Sequence, residues 1–117
     1  MPTTNHTDQW LPHEGGQTIG QSGSEHGIIL QDDEHGGGAR ITLERDCKIA
    51  PFAITCGIYG YMVHTRFFGL EDEAQSAFRE MKIDLGRIID LIPNKEDAER
   101  PEEAVHRAIH EFIERFP

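Results

Sequence analysis

The sequence predicts an α+β fold: an antiparallel β-sheet of three to five strands, followed by two amphipathic helices packed on one face. Two observations indicate this order. Apolar residues alternate with period two in the first two-thirds of the chain, and from residue 70 onward they follow a helical period. The length of 117 residues suits one hydrophobic core. We therefore expect a single α+β domain, residues 17–117, after an extended N-terminal tail, residues 1–16.

The N-terminal region is rich in glycine, since the first 38 residues hold 8 of the 12 glycines. This composition predicts loops with short strands. After Met1, the large apolar side chains of the tail are Trp10 and Leu11, too few to order it alone. We expect Trp10 to anchor the tail on its own sheet, on a neighbouring subunit or in a crystal contact.

A first β-hairpin is predicted between residues 27 and 45. Gly27–Gln31 resembles a short buried strand, and Asp32–Gly38 a polar, solvated, glycine-rich turn. In Ala39–Arg45 the apolar residues are Ala39, Ile41 and Leu43, at odd positions, and the even positions are polar. This alternation is typical of an antiparallel strand with one wet face.

The second β-rich stretch begins at Phe52 and changes phase near Gly60. The apolar face comprises Phe52, Ile54, Cys56 and Ile58 before the glycine, and Tyr61, Val63, Thr65 and Phe67 after it. Such a slip indicates either a β-bulge or a turn. Because a tight turn would place Ile58 and Tyr59 in the loop, the sequence favours one long strand with a bulge within residues 57–60.

Two helices follow. Apolar residues from Leu70 to Ile92 fall on one helical face, with acidic residues in the first turn and Pro93 as the stop signal. A second helix is predicted after Pro101, with its apolar stripe at Val105, Ala108, Ile109, Phe112, Ile113 and Phe116. The short polar linker, residues 94–100, indicates that the two helices are neighbours.

The charge balance excludes several classes of partner. The chain has 21 acidic and 11 basic residues, a net charge of −10, and its basic residues are scattered singly. Nucleic acids and anionic membranes are therefore not expected as partners. Without a secretory signal or an apolar span, a cytoplasmic location is expected. There Cys47 and Cys56 would remain free thiols.

The leading functional hypothesis is a small non-catalytic protein, accessory or regulatory, that acts by protein–protein contact as a homodimer. An aromatic stretch on such a charged surface marks an interaction site. Adjacent Phe67 and Phe68 point to opposite faces of a strand, so one face needs a cover beyond the helices. The predicted interface residues are Trp10, Tyr59, Tyr61, Phe67 and Phe68.

The alternative hypothesis is a metal-binding protein or metal-assisted enzyme that uses the last helix. Glu103, His106, His110 and Glu114 line one flank, and two histidines at i, i+4 can share a divalent metal. Arg107 stands where a metalloprotease keeps its general base. No other cofactor is indicated. A weaker possibility is a nucleophilic Cys56 with His64, for which the sequence supplies no orienting third group.

Overall fold

A computed structural model of the chain describes residues 9–92 and 103–117. Within them, each strand lies antiparallel beside the preceding one, so the sheet has the order β1-β2-β3-β4-β5. Two helices follow the sheet, and this confirms the predicted α+β class. The elements are β1 (Trp10–Pro12), β2 (Ile28–His35), β3 (Ala39–Arg45), β4 (Phe52–Ile58), β5 (Met62–Phe68), α1 (Glu71–Leu91) and α2 (Glu103–Arg115).

The core lies between one face of the sheet and the helices. α1 packs on β3, β4 and β5, and α2 packs against α1. The odd positions of β3 face this core as their alternation predicts. Burying large apolar side chains of this kind contributes roughly 1.5–3 kcal/mol each. The fully buried residues here include Ile41, Leu43, Ile54, Phe78, Met81 and Leu85. We call the opposite side of the sheet, turned away from α1 and α2, the helix-free face.

The end of the predicted N-terminal tail is held by the chain's own sheet. Trp10 pairs with His35 of β2 and is 7% exposed. Its ring contacts the His35 ring edge-on, with centroids 5.2 Å apart, and Lys82 Nζ of α1 lies 5.5 Å from its centroid. The aromatic contacts hold β1 at the sheet edge, while residues 1–8 lie outside the described residues.

The first hairpin has a longer strand and a shorter turn than predicted. β2 continues to His35, and Gly36–Gly38 alone form the turn, closed by Gly38 N–H donating to the His35 carbonyl at 3.0 Å. Gly38 has φ +106°, which favours glycine. The prediction of Asp32–Gly38 as a solvated turn is therefore wrong, because Asp32 is buried and paired with Arg40.

The second β-rich stretch is a hairpin, so the favoured bulge within residues 57–60 is wrong. Cys56 pairs with His64, and Ile58 with Met62. Between them, Tyr61 N–H donates to the Ile58 carbonyl at 2.9 Å. Gly60 has φ +85°, and it stands where a type II turn needs a positive φ. This glycine lets the chain reverse despite the bulky neighbours that argued against a turn.

Both predicted helices are present in the described residues. α1 begins at Glu71, with three acidic residues in its first turn, where the helix dipole favours negative charge. α2 buries Val105, Ile109 and Phe112. Pro93, the linker and Pro101 lie outside the described residues. In the described part of the chain, no helix is long and apolar enough to cross a membrane.

Candidate functional site

Strand β5 has an inverted pattern of polarity. His64 and Arg66 share a face with buried Phe68, the side on which the helices pack. Val63 and Phe67 lie on the helix-free face and are 79% and 39% exposed. β5 thus exposes two large apolar side chains on the helix-free face, while two polar side chains lie among apolar ones on its inner face, unlike an ordinary half-buried strand.

Aromatic rings pack against the two polar side chains on the inner face of β5, His64 and Arg66, and stabilise them there. The His64 ring contacts Phe112 with centroids 6.3 Å apart, and His64 Nε2 hydrogen-bonds to the carbonyl of Phe116. The Arg66 guanidinium lies 4.8 Å from the centroid of Phe68 and 5.8 Å from that of Phe116. These cation–π contacts let β5 cover the end of α2 with polar side chains.

The outer edge of β5 carries unused backbone groups. Ile58 directs its carbonyl toward β5, and orientation alternates along a strand. Its partner Met62 therefore faces β4, while Val63, Thr65 and Phe67 direct N–H and C=O outward. No described residue hydrogen-bonds to these outward groups. An open edge of this length is a template for pairing with another strand.

The five predicted interface residues separate into two groups. Tyr59 is 69% exposed, and Phe67 is exposed on the helix-free face. Trp10 and Phe68 are each 7% exposed and belong to the core. Tyr61 is half-buried against the core, with its ring 6.3 Å from that of His106.

The predicted metal-ligating residues on α2 do not converge. His110 Nε2 lies 3.0 Å from Glu114 Oε1, and the two side chains are 75% and 68% exposed. No group of three or more His, Cys, Asp or Glu side chains among the described residues is arranged to hold a metal ion. This arrangement matches a solvated helix flank on which His110 and Glu114 make an exposed contact, and such surface contacts contribute about 0–1 kcal/mol.

The two cysteines are poor nucleophiles. Burial raises the pKa of Cys56 to about 12. Burial and the charges of nearby acidic residues raise the pKa of Cys47 to about 11. Both thiols are therefore protonated at neutral pH. Cys56 and His64 do share a face as cross-strand partners, but a protonated core thiol beside a histidine is not an activated couple.

The segment between β1 and β2 covers part of the helix-free face. Glu44, predicted on the wet face of β3, is 0% exposed. Its carboxylate accepts hydrogen bonds from Glu25 N–H at 3.1 Å and from Gly27 N–H at 3.0 Å. This loop over β3 forms one wall of a cavity.

That cavity, which we call the Arg40 cavity, has a volume of about 720 Å³ and opens on the helix-free face. Thr42 of β3 and Thr55 and Gly57 of β4 form its floor, and Tyr59 and Ser24 also line it. The threonine hydroxyls are partly engaged: Thr42 Oγ1 donates to the Thr55 carbonyl at 3.3 Å. Small-molecule sites have similar volumes, with mixed apolar and hydroxyl linings.

Arg40 is positioned in this cavity by a buried carboxylate. Its Nε and Nη2 donate to Asp32 at 2.9 and 2.7 Å, and Thr18 Oγ1 donates to Asp32 Oδ2 at 2.8 Å. Burial by itself raises the pKa of Asp32, but these hydrogen bonds and the charge of Arg40 outweigh it and lower the pKa below 3.8. The hydrogen bonds with Asp32 raise the pKa of Arg40 in turn. The sequence pattern did not reveal this pair, because Asp32 lies beside Arg40 only when β2 continues through Asp32 to His35.

The second hairpin carries no acidic side chain of its own, and the acidic groups beside Arg66 and Phe67 are Glu73 and Glu80 of α1. Residues 47–70, which include β4 and β5, contain no Asp or Glu in a chain that has 21 acidic residues.

Comparison with protein-family models, curated proteins and solved structures gives no match. The functional argument therefore depends on the geometry of the helix-free face and the β5 edge.

Proposed function

We propose that this protein acts by protein–protein contact, without catalysis of its own, and that its primary partner is a second copy of the same chain. The inverted polarity of β5 carries the proposal. Val63 and Phe67 are exposed beside a row of backbone groups to which no residue of the described chain hydrogen-bonds, and pairing with another strand would satisfy both features at once.

A two-fold axis at Thr65 gives the most favourable pairing. Two antiparallel β5 strands would then place Val63 of one protomer opposite Phe67 of its partner, and the same contact would occur twice. Aromatic and β-branched residues opposite each other stabilise an antiparallel pair by roughly 0.2–1 kcal/mol. Thr65, Val63 and Phe67 supply the outward backbone groups, so about six hydrogen bonds would join the protomers.

The charge distribution supports a protein partner and self-association. Repulsion between two chains of net charge −10 is weakest where neither carries acidic residues, and β5 lies in the acid-free range 47–70. The same net charge disfavours nucleic acid. The free cysteines fit a reducing compartment, so we place the protein in the cytoplasm.

Light scattering after size exclusion tests the dimer. At about 100 µM the wild-type chain should have twice the 13.2 kDa chain mass, because an edge-strand contact of standard size commonly gives micromolar affinity. Thr65→Pro should elute as a monomer. Proline removes an outward N–H, and an edge strand tolerates this change within its own sheet.

A matched pair of lysine variants distinguishes an effect at the β5 edge from the effect of adding a charge elsewhere on the surface. Val63→Lys introduces a charge at the proposed contact and should also yield a monomer. Ile49→Lys changes a side chain of nearly equal exposure, 76% against 79%, outside the sheet, and should remain dimeric. A wild-type monomer, or Thr65→Pro and Val63→Lys dimers, would exclude the β5 interface.

A further inference from the structure

The Arg40 cavity borders β5 through Met62 and Val63, but it has a recognition chemistry of its own, which centres on Arg40. Among its described lining residues Arg40 is the one charged side chain. Arginine has five N–H donors, and Asp32 accepts from Nε and from Nη2. The remaining three, two on Nη1 and one on Nη2, have no acceptor among the described residues. The side chain is 38% exposed, so these donors are accessible from the cavity.

The free donors lie at the end of the guanidinium fork, where Nη1 and Nη2 can bind two oxygens of one planar group. Asp32 holds the other side of the fork, and Thr18 holds Asp32, so the donors are fixed before any ligand arrives. A prepositioned fork loses less conformational entropy on binding than a mobile side chain. Bidentate recognition of this kind suits a carboxylate.

The electrostatic surroundings favour a single negative charge over a multiply charged anion. Arg40 is the one cation in the lining, and Asp32 already offsets its charge. Glu14 also lies near enough to interact with Arg40. A phosphate with two charges would meet this acidic neighbourhood without a second cation, whereas a carboxylate carries one charge and matches the planar fork.

The remaining walls suit a flat apolar group. Tyr59 is exposed beside Arg40, and Gly57 leaves the backbone of β4 bare on the cavity floor. A Cβ at Gly57 would lie 3.1 Å from the carbonyl oxygen of Met62 and 3.6 Å from Val63 Cγ2. Met62 and Val63 therefore bound this position on the β5 side. The backbone of Gly57 remains part of the cavity lining, and Tyr59 offers an aromatic surface for a ring to stack on.

We propose that the Arg40 cavity binds a small aromatic carboxylic acid. The carboxylate pairs with Nη1 and Nη2 of Arg40, and the ring lies between Tyr59 and Gly57. The hydroxyl of Thr42 or Thr55 is within the same cavity for a polar substituent of the ring. This site uses the face of the sheet, so it goes beyond the proposed dimer, which uses the strand edge.

The test is a titration followed in ¹H–¹⁵N correlation spectra of the full chain. The probes are benzoate, phenylacetate and indole-3-acetate, with phenylacetamide as the neutral isostere and inorganic phosphate as a general anion. At least one acid should shift the amides of Gly57 and Thr55 with a Kd near 1 mM or below, a normal affinity for ligands of about ten heavy atoms. Phenylacetamide and phosphate should bind at least about tenfold more weakly than that acid.

Variants locate the site. Arg40→Lys keeps the charge but removes the fork and should weaken the bound acid roughly tenfold. Tyr59→Ala changes an exposed side chain with little risk to folding and should also weaken it. Arg45→Lys is the matched control, since Arg45 lies on the same strand, is 47% exposed and pairs with Asp46 outside the cavity. It should leave the affinity unchanged.

Three results would overturn the proposal. The first is no binding of the three acids up to about 10 mM, and the second is equal binding of phenylacetamide or phosphate, which contradicts a bidentate charged contact. The third is unchanged affinity in both Arg40→Lys and Tyr59→Ala, which would place the bound acid outside this cavity. The Thr65→Pro monomer should bind the acid as the wild type does. Failure of the dimer and failure of the ligand site are therefore distinguishable.

Discussion

Buried carboxylates give this acidic protein much of its specific structure. Asp32 holds Arg40 and Thr18 around one buried group, and Glu44 holds the loop that closes over β3. Each is fully hydrogen-bonded, which is the condition under which a charged group can be buried without a large penalty. These residues position the walls of the cavity, so structural stability and ligand geometry depend on the same side chains.

The contribution of Asp32 to stability should depend on pH. Its pKa lies lower in the folded chain than the ordinary value of 3.8. Its stabilising effect is therefore complete above about pH 4 and is lost as pH falls through the folded-state pKa. We expect Asp32→Asn to lower the free energy of unfolding by about 2 kcal/mol at pH 7, because a buried partner of Arg40 is lost.

Urea denaturation from about pH 7 to pH 2.5 measures this effect, because the linkage makes the difference between wild type and Asp32→Asn shrink on acidification. Asp72→Asn, at an exposed position in the first turn of α1, serves as the control with a small effect. A wild-type to Asp32→Asn difference that is constant over the whole range would contradict a lowered pKa for Asp32.

At the scale of elements, hydrophobic periodicity predicted the helices and β3 but misassigned β5. α1 and α2 each have a continuous apolar stripe, and β3 alternates regularly, so one face is clear in each. In β5, Val63 and Phe67 alternate equally regularly, yet this face is exposed. Alternation shows that the two faces of a strand differ in polarity. It does not show which face is buried when a partner covers the apolar face, or when aromatic rings pack against Arg66 and His64 on the other.

The residues of the Arg40 cavity illustrate a second limit of sequence analysis. The approach of Asp32 to Arg40 depends on the β2–β3 register, in which Asp32 lies opposite Thr42 and Glu34 opposite Arg40. A turn that included Asp32 would have left this carboxylate in solvent. The position of the β2–β3 turn determines whether Asp32 lies in β2 and holds Arg40. The sequence is compatible with more than one position of this turn, because three consecutive glycines follow a polar run.

The β4–β5 turn should depend on the backbone freedom of Gly60. At φ +85°, an alanine would be strained, so Gly60→Ala should lower the free energy of unfolding by about 1 kcal/mol. Gly69→Ala is the matched control. It follows β5 without a positive φ, and a Cβ there would meet no atom within 4 Å. Equal effects of the two substitutions on urea denaturation would exclude conformational strain at Gly60.

At the scale of the whole molecule, the surplus of acidic residues opposes association of two chains, whereas the hairpin of β4 and β5, which has no acidic residue, favours it. Each chain carries a net charge of −10, which opposes association at long range, while the hairpin strands proposed to pair contribute no acidic side chain of their own. The proposed β5 contact consists of backbone hydrogen bonds and apolar side chains, neither of which salt screens strongly. Ionic strength should therefore act mainly on the repulsion between protomers.

The dimer should consequently become tighter as salt increases. The Debye length falls from about 10 Å at 0.1 M to about 3 Å at 1 M, so repulsion between the two acidic bodies is progressively removed. Sedimentation equilibrium from about 0.05 to 0.5 M NaCl should show a dimer Kd that decreases several-fold. Val63→Lys should stay monomeric throughout. A dimer that weakens with salt would instead indicate attraction between opposite charges of the two protomers, and the two-fold β5 pairing would then be wrong.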